Sequence, residues 1–366
     1  YMFYNCSKLK KININFLEIN NSTNMSYLFY DCKILETITW NIIKAYYPSH
    51  PSDLRGMFFN CFKITTIILP FYNESLNINM SRMFYNCSKL NNLAFQSESI
   101  YYPNDMQAMF YNCADLKTLK LRDNIRTDYV EDMSFLFYSC SKLSSLNIYF
   151  SNRLTTNMRG IFLNCKSFTS LDLSSFYTPK AEIMWDMFKG CTNLKTLNLQ
   201  YFDTSKVTDM ESMFEGCSSL TSLNLNSFVT NNVQYMNKMF YNCIKLESLY
   251  FHQITTNSLG TMHQMFYNCR NLKYLDLFYL TEKDQSISEL FEGASTTFTF
   301  CIEDEKKIPK IFKELFDMSG TSRDCTNGCY NNNNNRVSIP SKKLCCPNKE
   351  FNGFCYDRCP SRTRVF

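Results

Sequence analysis

Met210-Glu211-Ser212-Met213-Phe214-Glu215-Gly216-Cys217, followed by Leu220, Leu223 and Leu225, is the most legible copy of a pattern that recurs along this chain. Each copy carries one cysteine. Cys6, Cys32, Cys61, Cys87, Cys113, Cys140, Cys165, Cys191, Cys217, Cys243 and Cys269 stand 26, 29, 26, 26, 27, 25, 26, 26, 26 and 26 residues apart. A nearly fixed period of this length marks a solenoid, in which each unit buries its apolar face only by stacking on its neighbours. The period points to a surface built from repeat-equivalent positions and leaves its ligand open.

Each copy has two halves. Met210, Met213, Phe214 and Cys217 follow the i, i+3, i+4, i+7 spacing that puts four side chains on one helical face. Met236, Met239, Phe240, Cys243 and Met262, Met265, Phe266, Cys269 keep the same frame. Thr208, with Glu211 three residues later, reads as a capping box at the start of that helix. The second half, L-x-x-L-x-L, alternates at its last two leucines and predicts a short strand. Strands that return after a full coil run the same way, so the sheet is parallel.

The expected fold is therefore an α/β repeat solenoid of the leucine-rich-repeat type, with one parallel sheet of short strands and helical segments on the opposite side. A degenerate copy with Ala294 at the cysteine position is expected to close the array. The expected domains are residues 1–300 as a solenoid of about twelve coils, 301–320 as a cap, and 321–366 as a small cysteine-rich module. Tyr1 falls inside a repeat, so the chain is expected to be a piece of a longer protein.

The phrase Phe202-Asp203-Thr204-Ser205-Lys206-Val207-Thr208-Asp209-Met210, together with Met213-Phe214-x-x-Cys217-x-x-Leu220-x-x-Leu223-x-Leu225, resembles the BspA-type leucine-rich repeat. The likeness runs from residue 1 to about 295 and is sharpest over 155–280. It implies a cell-surface or secreted protein, with adhesion among the functions found in such proteins. It implies no particular partner.

The repeat cysteines fall on the same predicted face as Met and Phe, and are expected to be buried free thiols of suitable size. Cys325, Cys329, Cys345, Cys346, Cys355 and Cys359 differ. They lie among prolines and the run Asn331–Asn335, in a segment that cannot build a core and needs covalent or metal staples. Cys301 is left over. The C-x3-C pairs permit zinc, and a secreted chain would form disulfides. The stretches Cys355-Tyr356-Asp357-Arg358-Cys359-Pro360 and Gly328-Cys329-Tyr330 resemble the turns of furin-like, growth-factor-receptor-type cysteine-rich repeats, which implies disulfides with no pairing assigned.

Catalytic patterns are missing. The three histidines, His50, His252 and His263, form no H-E-x-x-H, and nine glycines include no P-loop or G-x-S-x-G elbow. The chain is expected to be non-enzymatic, with no cofactor and no bound metal. No run of about 18 apolar residues is present to span a bilayer. The net charge of +5 is carried by residues from 320 onward. The neutral solenoid lacks the basic stripe that would favour nucleic acid.

That leaves recognition, by a protein or glycan on a cell surface, through the solvent-facing strand positions. Most of these are small and polar. Tyr250, His252, Tyr274 and Phe278 form an expected aromatic cluster across two coils. Lys120 and Arg122, beside Tyr149, are a second candidate. An intracellular scaffold with a zinc-binding tail is the alternative.

Overall fold

The computed structural model describes residues 1–15, 24–41, 53–69, 75–95, 100–122, 124–251, 254, 258–277, 280, 287–301, 310–311 and 322–324. They form a parallel β-solenoid. Its strands are β1 Lys11–Asn15, β2 Thr37–Asn41, β3 Thr66–Leu69, β4 Ser75–Asn79, β5 Asn92–Phe95, β6 Tyr101–Asp105, β7 Thr118–Lys120, β8 Ser145–Asn147, β9 Ser170–Asp172, β10 Thr196–Asn198, β11 Ser222–Asn224, β12 Ser248–Tyr250, β13 Tyr274–Asp276, β14 Thr299–Cys301 and β15 Ser322–Asp324. Every pairing among them is parallel. All but β4 and β6 belong to the column predicted from the leucine pattern, in which Leu223 lies opposite Leu249 and Leu249 opposite Leu275. That column is not one continuous sheet. It is hydrogen-bonded as the pairs β1–β2, β3–β5, β7–β8 and β9–β10 and the run β11–β15.

A second parallel column runs through the residue just before the first methionine of each copy, or before Leu54 where leucine replaces it. It passes through Asn24, Asp53, Asn79, Asp105, Asp132, Asn157, Ile183, Asp209, Tyr235 and Thr261, and β4 and β6 are its two extended members. An Asn or Asp side chain here accepts the N–H two residues on, as Asp53 does from Arg55 and Asp209 from Glu211. This local bond stabilises the sharp entry into the next segment. It also displaces the expected capping box. Glu211 N–H goes to Asp209, and the Thr208 hydroxyl donates to Glu182 O at 3.2 Å in the preceding coil.

The predicted helical half is the main correction. Among the described residues only Lys310 and Ile311 are helical. Met210 to Cys217 instead form a ribbon of overlapping turns. Met213, Glu215 and Cys217 donate N–H three residues back, to Met210, Ser212 and Phe214. Met210, Ser212, Phe214 and Gly216 donate to the next coil, to Tyr235, Asn237, Met239 and Tyr241 O, at 2.7–3.0 Å. An α-helix would consume these groups within itself. The ribbon uses half of them to bind neighbouring coils.

Two positive φ values per copy make this possible, at Ser212 (φ 54) and Gly216 (φ 71) in this one. The second position is Asn, Asp, Ser or Gly in every copy, from Asn5 and Asp31 to Asn268 and Gly293. Glycine, asparagine and aspartate are the residues that enter the left-handed region most readily. Asparagine also joins the coils, since Asn86 and Asn112 donate their amides to Asn60 and Asn86 Oδ1 at 2.9 and 2.5 Å.

The core lies between the turn ribbon and the strands. Phe29, Phe58, Phe84, Phe110, Phe137, Phe162, Phe188, Phe214, Phe240, Phe266 and Phe291 form one column of near-parallel rings, with neighbouring centroids 5.3–5.7 Å apart. The repeat methionines from Met25 onward are buried beside them, whereas Met2 in the first copy is exposed. Ten repeat cysteines are buried free thiols, and Cys6 in the first copy is partly exposed. Each buried thiol also has a directed contact. Cys217 Sγ donates to Phe188 O at 3.2 Å and Cys243 Sγ to Phe214 O at 3.1 Å, each in the preceding coil.

Candidate functional site

Beyond the 29-residue spacing from Cys32 to Cys61, part of which lies outside the described residues, the regular period is broken at a place that faces solvent. The cysteine spacing is 27 residues from Cys113 to Cys140 and 25 from Cys140 to Cys165. The added residue falls between Leu121 and Val130, and the missing one between Ile148 and Thr155. These two neighbouring segments no longer stack in step. They frame a concavity of about 660 Å³ lined by Tyr102, Arg122, Arg126, Asp128, Tyr129, Tyr149, Arg153 and Leu154.

The longer segment is fixed at its base. Leu121 and Arg122 N–H both reach Asn147 O, at 2.7 and 3.1 Å, and Ile125 N–H folds back to Leu121 O. Tyr101 donates to Asn124 O and accepts from Arg126 N–H, so β6 holds the same loop from the other side. Leu121, Ile125 and Val130 are buried beneath it. Thr127, also buried, donates to Tyr149 O at 3.3 Å and accepts Ser151 N–H at 2.8 Å. These bonds turn the shorter segment so that Tyr149 and Arg153 face the loop.

Polar groups and rings sit on this frame in a defined arrangement. Arg126 donates to Arg122 O at 2.5 Å, and its guanidinium lies 5.6 Å from the centre of the Tyr149 ring. Contact of this kind holds the charge in place without neutralising it. Tyr102 meets Tyr129 edge-on at 6.0 Å. Tyr129 is 45% exposed and Tyr149 41% exposed. Among the described residues, Arg122, Arg126, Arg153 and Asp128 form no ion pair. Among the described lining residues, three cations share the concavity with one carboxylate. The described lining residues offer guanidinium donors, one carboxylate acceptor and phenol rings, a set able to hold a polar, partly anionic group.

Of the candidate residues read from sequence, Arg122 and Tyr149 come together in this lining, and Lys120 is exposed on β7 beside it. Of the expected aromatic cluster, Tyr250 and Tyr274 lie among the described residues, and only the exposure of Tyr274 departs from expectation. Tyr250 is partly exposed, with its ring 5.7 Å from that of Tyr274. Tyr274 is only 1% exposed, and Asp276 on the same strand face is buried too. That face of β13 is covered, which removes Tyr274 from the surface. His252 and Phe278 lie outside the described residues, as do Cys325, Cys329, Cys345, Cys346, Cys355 and Cys359. Arg126, Asp128, Tyr129 and Arg153 were missed because they sit between the two halves of the motif. The irregular spacings were the available signal.

Among the described residues no group of His, Cys, Asp and Glu could hold a metal ion, and no helix is long and apolar enough to cross a membrane.

A family model described as "Mycoplasma protein of unknown function, DUF285" matches residues 1–120, 104–198, 156–277 and 184–301 in overlapping copies. No curated protein matches the chain. Among solved structures, a leucine-rich repeat protein from Eubacterium ventriosum is similar at 19% identity, over 80% of this chain and 78% of that one, with a TM-score of 0.40. One from Bacteroides ovatus is similar at 21% identity over 75% and 81%, with a TM-score of 0.33. A Leptospira interrogans leucine-rich repeat protein is similar at 15% identity over 87% and 84%, with a TM-score of 0.28.

Proposed function

The chain belongs to this DUF285 repeat family, and on that premise we propose that it is a non-enzymatic recognition scaffold at the cell surface or outside the cell. It would engage a protein or glycan partner through the Arg122–Arg126–Arg153 concavity. The observation that carries this reading is three arginines and two exposed tyrosines held on a rigid frame without ion-pair partners among the described residues. Arginine and tyrosine are enriched where interfaces concentrate their binding energy. Their fixed backbone lowers the ordering cost on binding.

Two observations support an extracellular setting. The repeats resemble BspA-type surface proteins, and the last six cysteines resemble a disulfide-rich module. The ten buried repeat thiols fit such a setting, because burial shields them from oxidants. Adhesion is the function we assign on this basis.

The test is retention of the purified chain on cell monolayers, compared with an Arg122→Gln, Arg126→Gln, Arg153→Gln variant. Retention should fall at least tenfold in the variant, with an unchanged melting curve. Equal retention would remove the concavity from the function. Cleavage of the protein by protease added to intact producing cells should accompany this, and full protection would contradict a surface location.

A further inference from the structure

The geometry points to the class of ligand that the concavity takes: an acidic saccharide, a sugar ring bearing a carboxylate beside free hydroxyls. This rests on the recognition reading above and narrows it.

Arginine guanidinium presents a planar fork of donors that matches a carboxylate. Arg122 and Arg153 are exposed at the surface of the concavity. Arg126 is anchored between Arg122 O and the Tyr149 ring. The site therefore requires negative charge. Asp128 requires something more. Ionised, it can only accept hydrogen bonds, and it would repel a ligand that is anionic all over. A ligand that satisfies both must offer an anion at one end and hydroxyl donors at another.

The rings add a third requirement. Tyr102, Tyr129 and Tyr149 supply flat apolar surface, and among the described lining residues Leu154 is the one aliphatic side chain. Tyrosine faces suit a ligand with one apolar face and polar edges, as a pyranose has. The size of the concavity agrees. About 660 Å³ lies within the range for compact ligands. A polyglutamate peptide meets the charge requirement and can offer N–H groups to Asp128, but it brings no ring face to the tyrosines.

The test is isothermal titration of the whole chain with three probes: a tetrasaccharide alternating glucuronate and N-acetylglucosamine, a neutral N-acetylglucosamine tetramer, and a glutamate decapeptide. The acidic tetrasaccharide should bind saturably. It should bind at least tenfold more tightly than either other probe, and less tightly as salt is raised, since exposed charges are screened. Arg122→Gln with Arg153→Gln should weaken it at least tenfold, with the melting curve unchanged. Lys195→Gln, at an exposed position elsewhere, should leave binding unaltered. Absence of binding, equal affinity for the neutral tetramer, tighter binding of the decapeptide, or an unaffected double variant would each overturn the assignment. If surface retention depends on the three arginines while the tetrasaccharide neither binds nor displaces the chain, the sugar assignment falls and the recognition reading stands.

Discussion

At position 217 the thiol serves two needs at once. It fills a small apolar space in the core, and it donates to Phe188 O, which also accepts Cys191 N–H. Cys217→Ala therefore leaves no orphaned carbonyl, and should cost about 1 kcal/mol for the lost volume and a weak bond. Cys217→Ser should cost more, roughly 1–3 kcal/mol, because the shorter C–O bond strands a hydroxyl in an apolar stack. Urea unfolding of the two variants checks the order, and a serine variant as stable as the wild type would contradict it. A second prediction concerns Gly190. Its φ is 72°, and an added Cβ would press on Asn164 Oδ1 in the preceding coil. Gly190→Ala should destabilise by about 1–2 kcal/mol. Gly190→Asn should recover part of that loss, because Asn tolerates the conformation and can join the amide ladder seen at Asn60, Asn86 and Asn112. If both variants melt alike, the ladder contributes nothing at this coil.

Among the elements, the strand half of each repeat was legible and the other half was misread for a specific reason. Met210, Met213, Phe214 and Cys217 are all buried, as a helical face requires, but a chain of turns with the same spacing buries them equally well. The discriminating residue is the one before each cysteine. Asn, Asp, Ser or Gly at every copy signals a repeated left-handed position, which an uninterrupted helix does not contain. The candidate site was legible in part. Arg122 and Tyr149 stood out as strand-face residues, whereas Arg126, Asp128, Tyr129 and Arg153 depend on how two out-of-step segments fold. No periodicity carries that information. A loop exchange tests the account. Replacing residues 121–130 with the sequence of Leu199–Val207, and residues 148–155 with that of Leu225–Val233, restores the regular spacing. The array should stay folded by circular dichroism while retention on cell monolayers drops at least tenfold. Retention at the wild-type level would show that the irregularity is incidental.

Over the whole molecule, the buried thiols couple stability to alkaline pH. Burial pushes Cys140, Cys191 and Cys269 up to about 12, and Cys61, Cys113, Cys165, Cys217 and Cys243 also lie well above the ordinary range. Unfolded thiols lose their protons near pH ~8.5. Above that pH the unfolded chain binds fewer protons than the native one, so stability falls as pH rises. It is fully present below the unfolded value and lost towards the folded one. Each such thiol contributes about 1.4 kcal/mol per pH unit within that window. The array should therefore unfold steeply between pH ~9 and ~11, and Ala at Cys191, Cys217 and Cys243 should flatten the dependence measured by circular dichroism. A pH profile indifferent to those substitutions would rule the thiols out as its cause. The two sides of the coil stack also differ in continuity. The second column links successive coils from Asn24 to Thr261, whereas the leucine strands bond as separate pairs and one run of five. Under load along its axis, such a body has one stiff edge and one jointed edge. Pulled from its ends, it would bow towards the stiff edge before any coil tears away. Each 26-residue coil that did tear away would lengthen the tether by up to roughly 90 Å, so an anchored array would give way in steps and absorb a sudden tug that a rigid rod would pass straight to its attachment.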